Sequence, residues 1–104
     1  MPHIAIDYDK EKLRDFCQRW KVTEFSLFGS VVRDDFGPDS DVDVLVTFAP
    51  DARWSLFDMT DMKDELHALF GRPVDLLTRR AVEGSLNPIR KTSILNSAVM
   101  LDVA

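Results

Sequence analysis

Two aspartates separated by one residue, Asp41 and Asp43, are the residues whose types and spacing best suit chemistry. They alternate with Val42, Val44 and Val46, a pattern that predicts a β-strand. On a strand, side chains at i and i+2 point to the same side with Cα atoms about 6.5–7 Å apart, and carboxylates this close repel each other unless a cation lies between them. Mg²⁺ prefers such hard oxygen ligands together with substrate phosphates. The pair therefore predicts the protein half of a Mg²⁺–nucleotide site, with a solvated strand end as the alternative.

A glycine followed by a serine, Gly29-Ser30, comes directly after a short apolar segment. A strand that ends at Gly29 and a helix that begins at Ser30 expose free backbone N–H groups and a hydroxyl to an anion. Because Gly29 has no side chain, a phosphate can approach its backbone closely. Helix capping by Ser30 explains the same pair when it is taken alone. Together with the two aspartates, the pair predicts a phosphate site opposite a metal-binding pair.

A third carboxylate, Asp75, lies in the next apolar strand segment and shares its face with Leu77. An unpaired charge buried there would cost several kcal/mol, so a place beside the aspartate pair is favoured. Phosphoryl transfer assisted by two metals or by a base uses such a third carboxylate. The alternative is an exposed position at the end of an edge strand.

The elements that must position these residues follow from the hydrophobic periodicity. Helical spacing predicts a helix over residues 9–20 with Cys17 in the core, and a longer helix between Ser55 and Gly71. Strands are expected over 25–28, 41–48 and 74–77, a short helix over 30–33, a turn over 36–40, and a last helix over about 86–95. The tail at 98–103 is either a strand or a frayed end. The order α-β-α-β-α-β-α predicts an α/β fold in one domain, residues 1–104. The longer helix is expected to bury a stripe formed by Leu56, Met59, Met62, Leu66 and Leu69.

The composition restricts the classes of function. The 104 residues include 13 Lys and Arg against 18 Asp and Glu, a formal net charge of −5, which disfavours direct binding to nucleic acid. The single cysteine excludes an intrachain disulfide and fits a reducing compartment. Without a signal-like start or a long apolar run, we expect a cytoplasmic protein with no membrane contact. A fold this small is also expected to need a partner to complete its function.

The spacing from Gly29-Ser30 over ten residues to Asp41-Val42-Asp43 resembles the signature of nucleotidyltransferases with a DNA polymerase β type of catalytic domain. The strings over 28–33 and 40–46 are similar to the minimal nucleotidyltransferase (MNT) subgroup, and the resemblance extends over essentially the whole chain. It implies a small mixed β-sheet flanked by helices, the polymerase β-like fold. It also implies that Asp41, Asp43 and Asp75 form a catalytic triad that holds Mg²⁺.

The same resemblance implies a nucleotide site and a reaction. Gly29, Ser30 and Ser40 would contact the nucleotide. Arg33 would either contact the phosphates or bridge to an acidic neighbour such as Asp34 or Asp39. An acceptor oxygen would attack the α-phosphate of ATP in line, and pyrophosphate would leave. A surplus of positive charge over 72–91 is either a solvated face or a basic rim that receives triphosphate or an acidic partner. The basic residues in this interval are Arg72, Arg79, Arg80, Arg90 and Lys91.

In the MNT subgroup, the usual partner is a protein of the HEPN (higher eukaryotes and prokaryotes nucleotide-binding) family. The resemblance implies a type VII-like toxin–antitoxin system, in which the antitoxin moves AMP from ATP onto a tyrosine of the HEPN ribonuclease toxin. Two alternatives stay open. The protein could neutralise the toxin by binding alone, or it could be a small-molecule nucleotidyltransferase whose acceptor site lies on a separate subunit.

Overall fold

The computed structural model describes residues 8–29, 40–84 and 86–101. Four helices and four strands are formed within these residues. The first half comprises helix α1 (Lys10–Arg19), strands β1 (Val22–Phe28) and β2 (Val42–Phe48), and helix α2 (Leu56–Phe70). The second half comprises strand β3 (Val74–Thr78), helices α3 (Arg79–Glu83) and α4 (Pro88–Ser97), and strand β4 (Val99–Leu101).

The four strands form one mixed sheet in the order β3-β2-β1-β4. Strand β1 pairs antiparallel with both β2 and β4, whereas β2 and β3 are parallel. Helix α2 makes the crossover connection that a parallel pair requires. Because β1 is antiparallel to β2, and β3 is parallel to β2, the last residues of β1 lie at the same end of the sheet as the first residues of β2 and β3. This end of the sheet, called the carboxylate end below, therefore collects Gly29, Asp43 and Asp75.

Both faces of the sheet are covered. One face packs against α1 and α2 in a core that includes Phe16, Val44 and Leu66. The other face packs against α3 and α4, where Leu45 and Leu77 contact a smaller cluster. Side chains alternate along a strand, so Asp43 lies on the side of Leu45, and Asp75 lies on the side of Leu77. The two carboxylates therefore share the second face of the sheet.

Local signals in the sequence explain where α2 begins and ends. The Ser55 hydroxyl accepts a hydrogen bond from the Asp58 N–H at 3.2 Å, and the Ser55 N–H donates to the Asp58 carboxylate at 2.8 Å. This reciprocal pair is a capping box. At the other end, Gly71 adopts the left-handed conformation, with φ of 70°, in which glycine is favoured. Both predicted boundaries of this helix are confirmed.

Three strand boundaries and the buried stripe differ from expectation. Strand β1 begins at Val22, which pairs with Phe48, rather than at residue 25. Strand β2 begins one residue late, at 42, and β3 extends to residue 78. The expectation that Leu56 is buried is wrong, since it is 85% exposed. The steps from Met62 to Met59 to Leu56 each fall short of a 3.6-residue turn, so Leu56 is rotated away from the core.

The last third of the chain contains one helix that the periodicity missed. Helix α3 has five residues, too few to show an apolar period, and it is capped where the Ala81 N–H donates to Oγ1 of Thr78 at 3.1 Å. The last helix begins at Pro88, not at residue 86, in keeping with the preference of proline for the first helical position. Residues 99–101 form β4, the strand alternative for the tail.

The helix expected over 30–33 and most of the turn expected over 36–40 lie outside the described residues. Within the described ranges, none of the helices is both long enough and apolar enough to cross a membrane.

Candidate active site

Gly29 lies directly after β1, against the carboxylate of Asp43. The register places Phe28 opposite Asp43, so the next residue passes the Asp43 side chain. The φ angle of Gly29 is 74°, in the left-handed region that glycine favours. A Cβ at this position would overlap with Oδ2 of Asp43 and lie 3.2 Å from its Cγ. The missing side chain makes room for the Asp43 carboxylate, and the approach of a phosphate to the Gly29 backbone stays a prediction.

Asp43 and Asp75 are direct neighbours on the parallel strands β2 and β3. Neighbouring strands lie about 4.8 Å apart, and both side chains point to the same face of the sheet. Asp43 is half-buried, whereas Asp75 is exposed. Like charges directly opposite each other destabilise a sheet, so this pair favours a bound cation.

The burial argument for Asp75 is wrong, because its side chain is exposed and β3 is an edge strand of the sheet. The place of Asp75 beside the aspartate pair is supported instead by its register, directly opposite Asp43. Register depends on how β2 and β3 pair, and neither strand encodes this pairing alone. Asp75 is thus both exposed on an edge strand and placed beside Asp43, so the two alternatives for this residue are compatible.

Asp41 lies immediately before β2 and is exposed. Across residues 8–29, 40–84 and 86–101, no three His, Cys, Asp or Glu side chains converge on a point that could hold a metal ion. The structure therefore brings Asp43 and Asp75 together and leaves Asp41 at the rim of the carboxylate end. One or two carboxylates completed by substrate phosphates and waters are the usual Mg²⁺ ligands in proteins, and this donor set fits them.

Ser40 is half-buried at the same end of the sheet, and its backbone carbonyl accepts a hydrogen bond from Nη1 of Arg72 at 3.4 Å. Two residues later, the N–H of Val42 donates to the carbonyl of Pro73 at 2.9 Å. The segment around Asp41 is thus fastened to the segment that leads into β3. The sequence places Arg72 only in a general basic interval, and its position three residues before Asp75 is the one local signal of this role.

The other two predicted nucleotide contacts, Ser30 and Arg33, lie outside the described residues. Within the basic interval, Arg79 donates from Nε to Glu83 at 2.9 Å, one turn along α3. Arg72, by contrast, reaches the carboxylate end through its hydrogen bond to the Ser40 carbonyl.

A groove of about 610 Å³ lies between α1 and α2, on the face of the sheet away from the carboxylates. It contains the ion pair of Arg19 with Glu65, whose two N···O distances are 3.0 and 3.1 Å. The hydrogen bonds from Arg19 and then Trp20 hold the pKa of Glu65 below its usual value. These contacts join two helices, so we interpret the groove as structural.

Residues 10–101 match the sequence profile of the nucleotidyltransferase domain family. A candidate protein adenylyltransferase of Methanocaldococcus jannaschii is 37% identical over 92% of this chain and 97% of its own length. The protein adenylyltransferase MntA of Thermococcus cleftensis is 36% identical over 74% of this chain and 73% of its own length. Nucleotidyltransferases of this type generally use a divalent metal with the nucleotide.

Solved structures share the fold. A candidate minimal nucleotidyltransferase superposes with a TM-score of 0.67 at 32% identity, covering 88% of both chains. A complex of a tri-AMPylated HEPN toxin of Shewanella oneidensis with an MNT antitoxin contains a chain of the same fold, with a TM-score of 0.54 at 16% identity, covering 88% of this chain and 71% of that one. The expected mixed sheet flanked by helices is confirmed. From its matched length, its identity to these relatives and its fold, the chain belongs to the nucleotidyltransferase domain family and is a minimal nucleotidyltransferase.

Proposed function

We propose that this enzyme transfers AMP from ATP, with Mg²⁺, onto a tyrosine of a HEPN-family ribonuclease toxin and thereby acts as the antitoxin of that protein. The observation that carries the proposal is the meeting of Gly29, Asp43 and Asp75 at one end of the sheet. The arrangement supplies anionic ligands beside a backbone that lacks a side chain. The identity of 36% to a protein adenylyltransferase supports a protein as the acceptor.

The carboxylates of Asp43 and Asp75, with Asp41 at the rim, would hold the metal ion. Mg²⁺, when bound, supplies positive charge that offsets the charge developing on the phosphoryl oxygens. The residues of the chain orient the nucleotide: the backbone at Gly29 and, by the family resemblance, the hydroxyl of Ser30 would contact its phosphates. Positioning of this kind provides most of the rate enhancement in phosphoryl transfer.

The reaction exchanges one bond to phosphorus for another. The phenolic oxygen of the tyrosine attacks the α-phosphorus of ATP in line, and an O–P bond forms while the bond from that phosphorus to the bridging oxygen breaks. Pyrophosphate leaves with the electron pair of the broken bond. The phenol proton passes to a carboxylate oxygen, for which we assign Asp75 because it is the exposed member of the in-register pair. The products are AMP-tyrosine and pyrophosphate.

The HEPN partner is supported by the resemblance to the MNT subgroup. A chain of the same fold also occurs in a solved complex of an MNT antitoxin with a HEPN toxin, although at 16% identity that likeness is one of fold. The two alternatives, binding without transfer and transfer to a small molecule, are outcomes of the experiment that follows.

The test uses the purified protein, ATP, Mg²⁺ and the HEPN-family toxin that the family resemblance implies is encoded beside it. Intact-mass spectrometry should show the toxin heavier by one or more AMP units, and its ribonuclease activity should fall in parallel. Asp43→Asn should abolish the mass change. Asp61→Asn, which removes an exposed carboxylate on α2, is the matched control and should leave it unchanged.

Replacing the modified tyrosine of the toxin by phenylalanine should also abolish the mass increase, because the acceptor hydroxyl is then absent. If the wild type and Asp43→Asn neutralise an unmodified toxin equally well, the protein acts by binding alone and the proposal is wrong. Label from ATP that appears on a small molecule and not on the toxin would favour the third function.

A further inference from the structure

We propose that Arg72 is a positioning residue for the metal site, which holds Asp41 in place through the backbone of Ser40 and not through contact with substrate. This inference deepens the proposed function and rests on the assignment of the aspartates to the metal. Arg72 is half-buried between Gly71, which ends α2, and Pro73, which precedes β3. Its Nη1 donates to the Ser40 carbonyl at 3.4 Å.

Asp41 needs such an anchor because it lies outside the strand. The backbones of Asp43 and Asp75 are held by the β2–β3 ladder, which begins at Val42 opposite Val74. Asp41 precedes this ladder, so regular strand pairing does not determine where its carboxylate points.

Two hydrogen bonds flank Asp41, one on each side. Before it, the Ser40 carbonyl accepts from Arg72; after it, the Val42 N–H donates to the Pro73 carbonyl at 2.9 Å. Both bonds lead to the same short segment, residues 72–73, which continues directly into β3. These bonds hold the Asp41 backbone at a fixed position relative to β3, the strand that carries Asp75. The distance between the carboxylates of Asp41 and Asp75 therefore depends on Arg72.

Charge and position predict opposite results when Arg72 is replaced. If only Coulomb interactions matter, removing the positive charge of Arg72 strengthens cation binding, because the guanidinium repels the cation. Loss of the anchor weakens cation binding, because a carboxylate that wanders must be ordered again each time the ion binds. The sign of the change therefore separates a positioning role from a purely electrostatic one.

The experiment compares Arg72→Gln and Arg72→Lys with Arg53→Gln in the full chain without nucleotide. Arg53 is a matched control because its Nη1 also donates to backbone carbonyls, those of Pro50 and Ala52, each at 3.1 Å, but beyond the far end of β2. Mn²⁺ serves as the probe ion, followed by its paramagnetic signal. Amide hydrogen exchange at Val42 reports on the segment without any metal.

We expect Arg72→Gln to weaken Mn²⁺ binding by about tenfold or more and to speed exchange of the Val42 amide. Arg72→Lys should restore part of both, since its ammonium can still donate to Ser40, and Arg53→Gln should change neither. Unchanged or tighter Mn²⁺ binding with normal Val42 exchange overturns the proposal. In a separate transfer assay with ATP, a raised KM for ATP together with normal Val42 exchange also overturns the proposal and assigns a phosphate contact instead.

The proposed function has a separate failure. If the wild type binds Mn²⁺ no better than Asp43→Asn does, the assignment of the aspartates to the metal is wrong. In that case the exchange of the Val42 amide still decides whether Arg72 holds the segment.

Discussion

Gly29 lacks a side chain where the Asp43 carboxylate lies against its backbone, and a Cβ built there would overlap with Oδ2 of that carboxylate. Gly71 also has a positive φ, 70°, but a Cβ built on it would meet no atom of a more distant described residue within 4 Å. The two glycines therefore share the backbone conformation and differ in whether a carboxylate occupies the space beside them.

We predict that Gly29→Ala and Gly71→Ala each lose about 1–2 kcal/mol of stability, because both residues are left-handed. Only Gly29→Ala should also lose transferase activity, since its methyl group displaces Asp43. Urea denaturation and the mass assay on the HEPN toxin measure the two effects. Equal activity in the two variants would show that Asp43 tolerates displacement.

Asp43→Asn and Asp75→Asn should each remove the stabilisation that a divalent cation confers on the wild type. Because like charges opposite each other on neighbouring strands are unfavourable, Asp75→Asn should be as stable as the metal-free wild type or more stable, by about 0.2–1 kcal/mol. Thermal melts with and without Mg²⁺ or Mn²⁺ measure this, with Asp61→Asn as the control. A full cation-induced rise in either variant would place that aspartate outside the site.

The ion pair of Arg19 with Glu65 should make stability depend on pH. Hydrogen bonds from Arg19 and then Trp20 lower the pKa of Glu65 in the folded state. A lowered carboxyl pKa contributes stability above the unfolded value, about 4.3, and this contribution is lost as the pH falls through the folded pKa. The Glu65 side chain is 36% exposed, so solvent screening limits the contribution to about 0.5–1 kcal/mol.

Glu65→Gln should therefore be less stable than the wild type at pH 7, and the two proteins should converge as the pH falls below about 4. Urea denaturation at several pH values measures the difference in the free energy of unfolding. Arg19→Gln should show the same convergence. A difference that stays constant with pH would mean that Glu65 acts through packing and not through its charge.

Cys17 should be inert to alkylation in the native protein. Its side chain lies on the buried face of α1, in the hydrophobic core, and is 2% exposed. Burial raises the pKa of its thiol to about 12. Because the thiolate is the reactive form, iodoacetamide should modify Cys17 only when the chain unfolds. The rate of alkylation should then rise with urea along the unfolding transition. Rapid alkylation without denaturant would contradict the burial of this thiol.

The sequence by itself determined the elements whose signals are local. The caps at Ser55 and Gly71 and the apolar spacing of α1 depend on residues within one or two turns, so the two longest predicted helices were placed correctly. The alternation around Asp43 predicted β2 to within one residue for the same reason. The family signature also lies within one short stretch of chain, and its identification did not require the fold.

Tertiary structure decided the relations between distant segments. The register of Asp43 with Asp75, the contact of Gly29 with Asp43 and the bond from Arg72 to Ser40 each join residues that no local period relates. The pairing of strands depends on how both faces of the sheet are packed, and a shift of one residue would turn every carboxylate to the opposite face. Asp75 is exposed in part because β3 is an edge strand, with a neighbouring strand on one side only. Residue types and spacing thus identified the candidate carboxylates, and strand pairing decided that Asp43 and Asp75 lie next to each other.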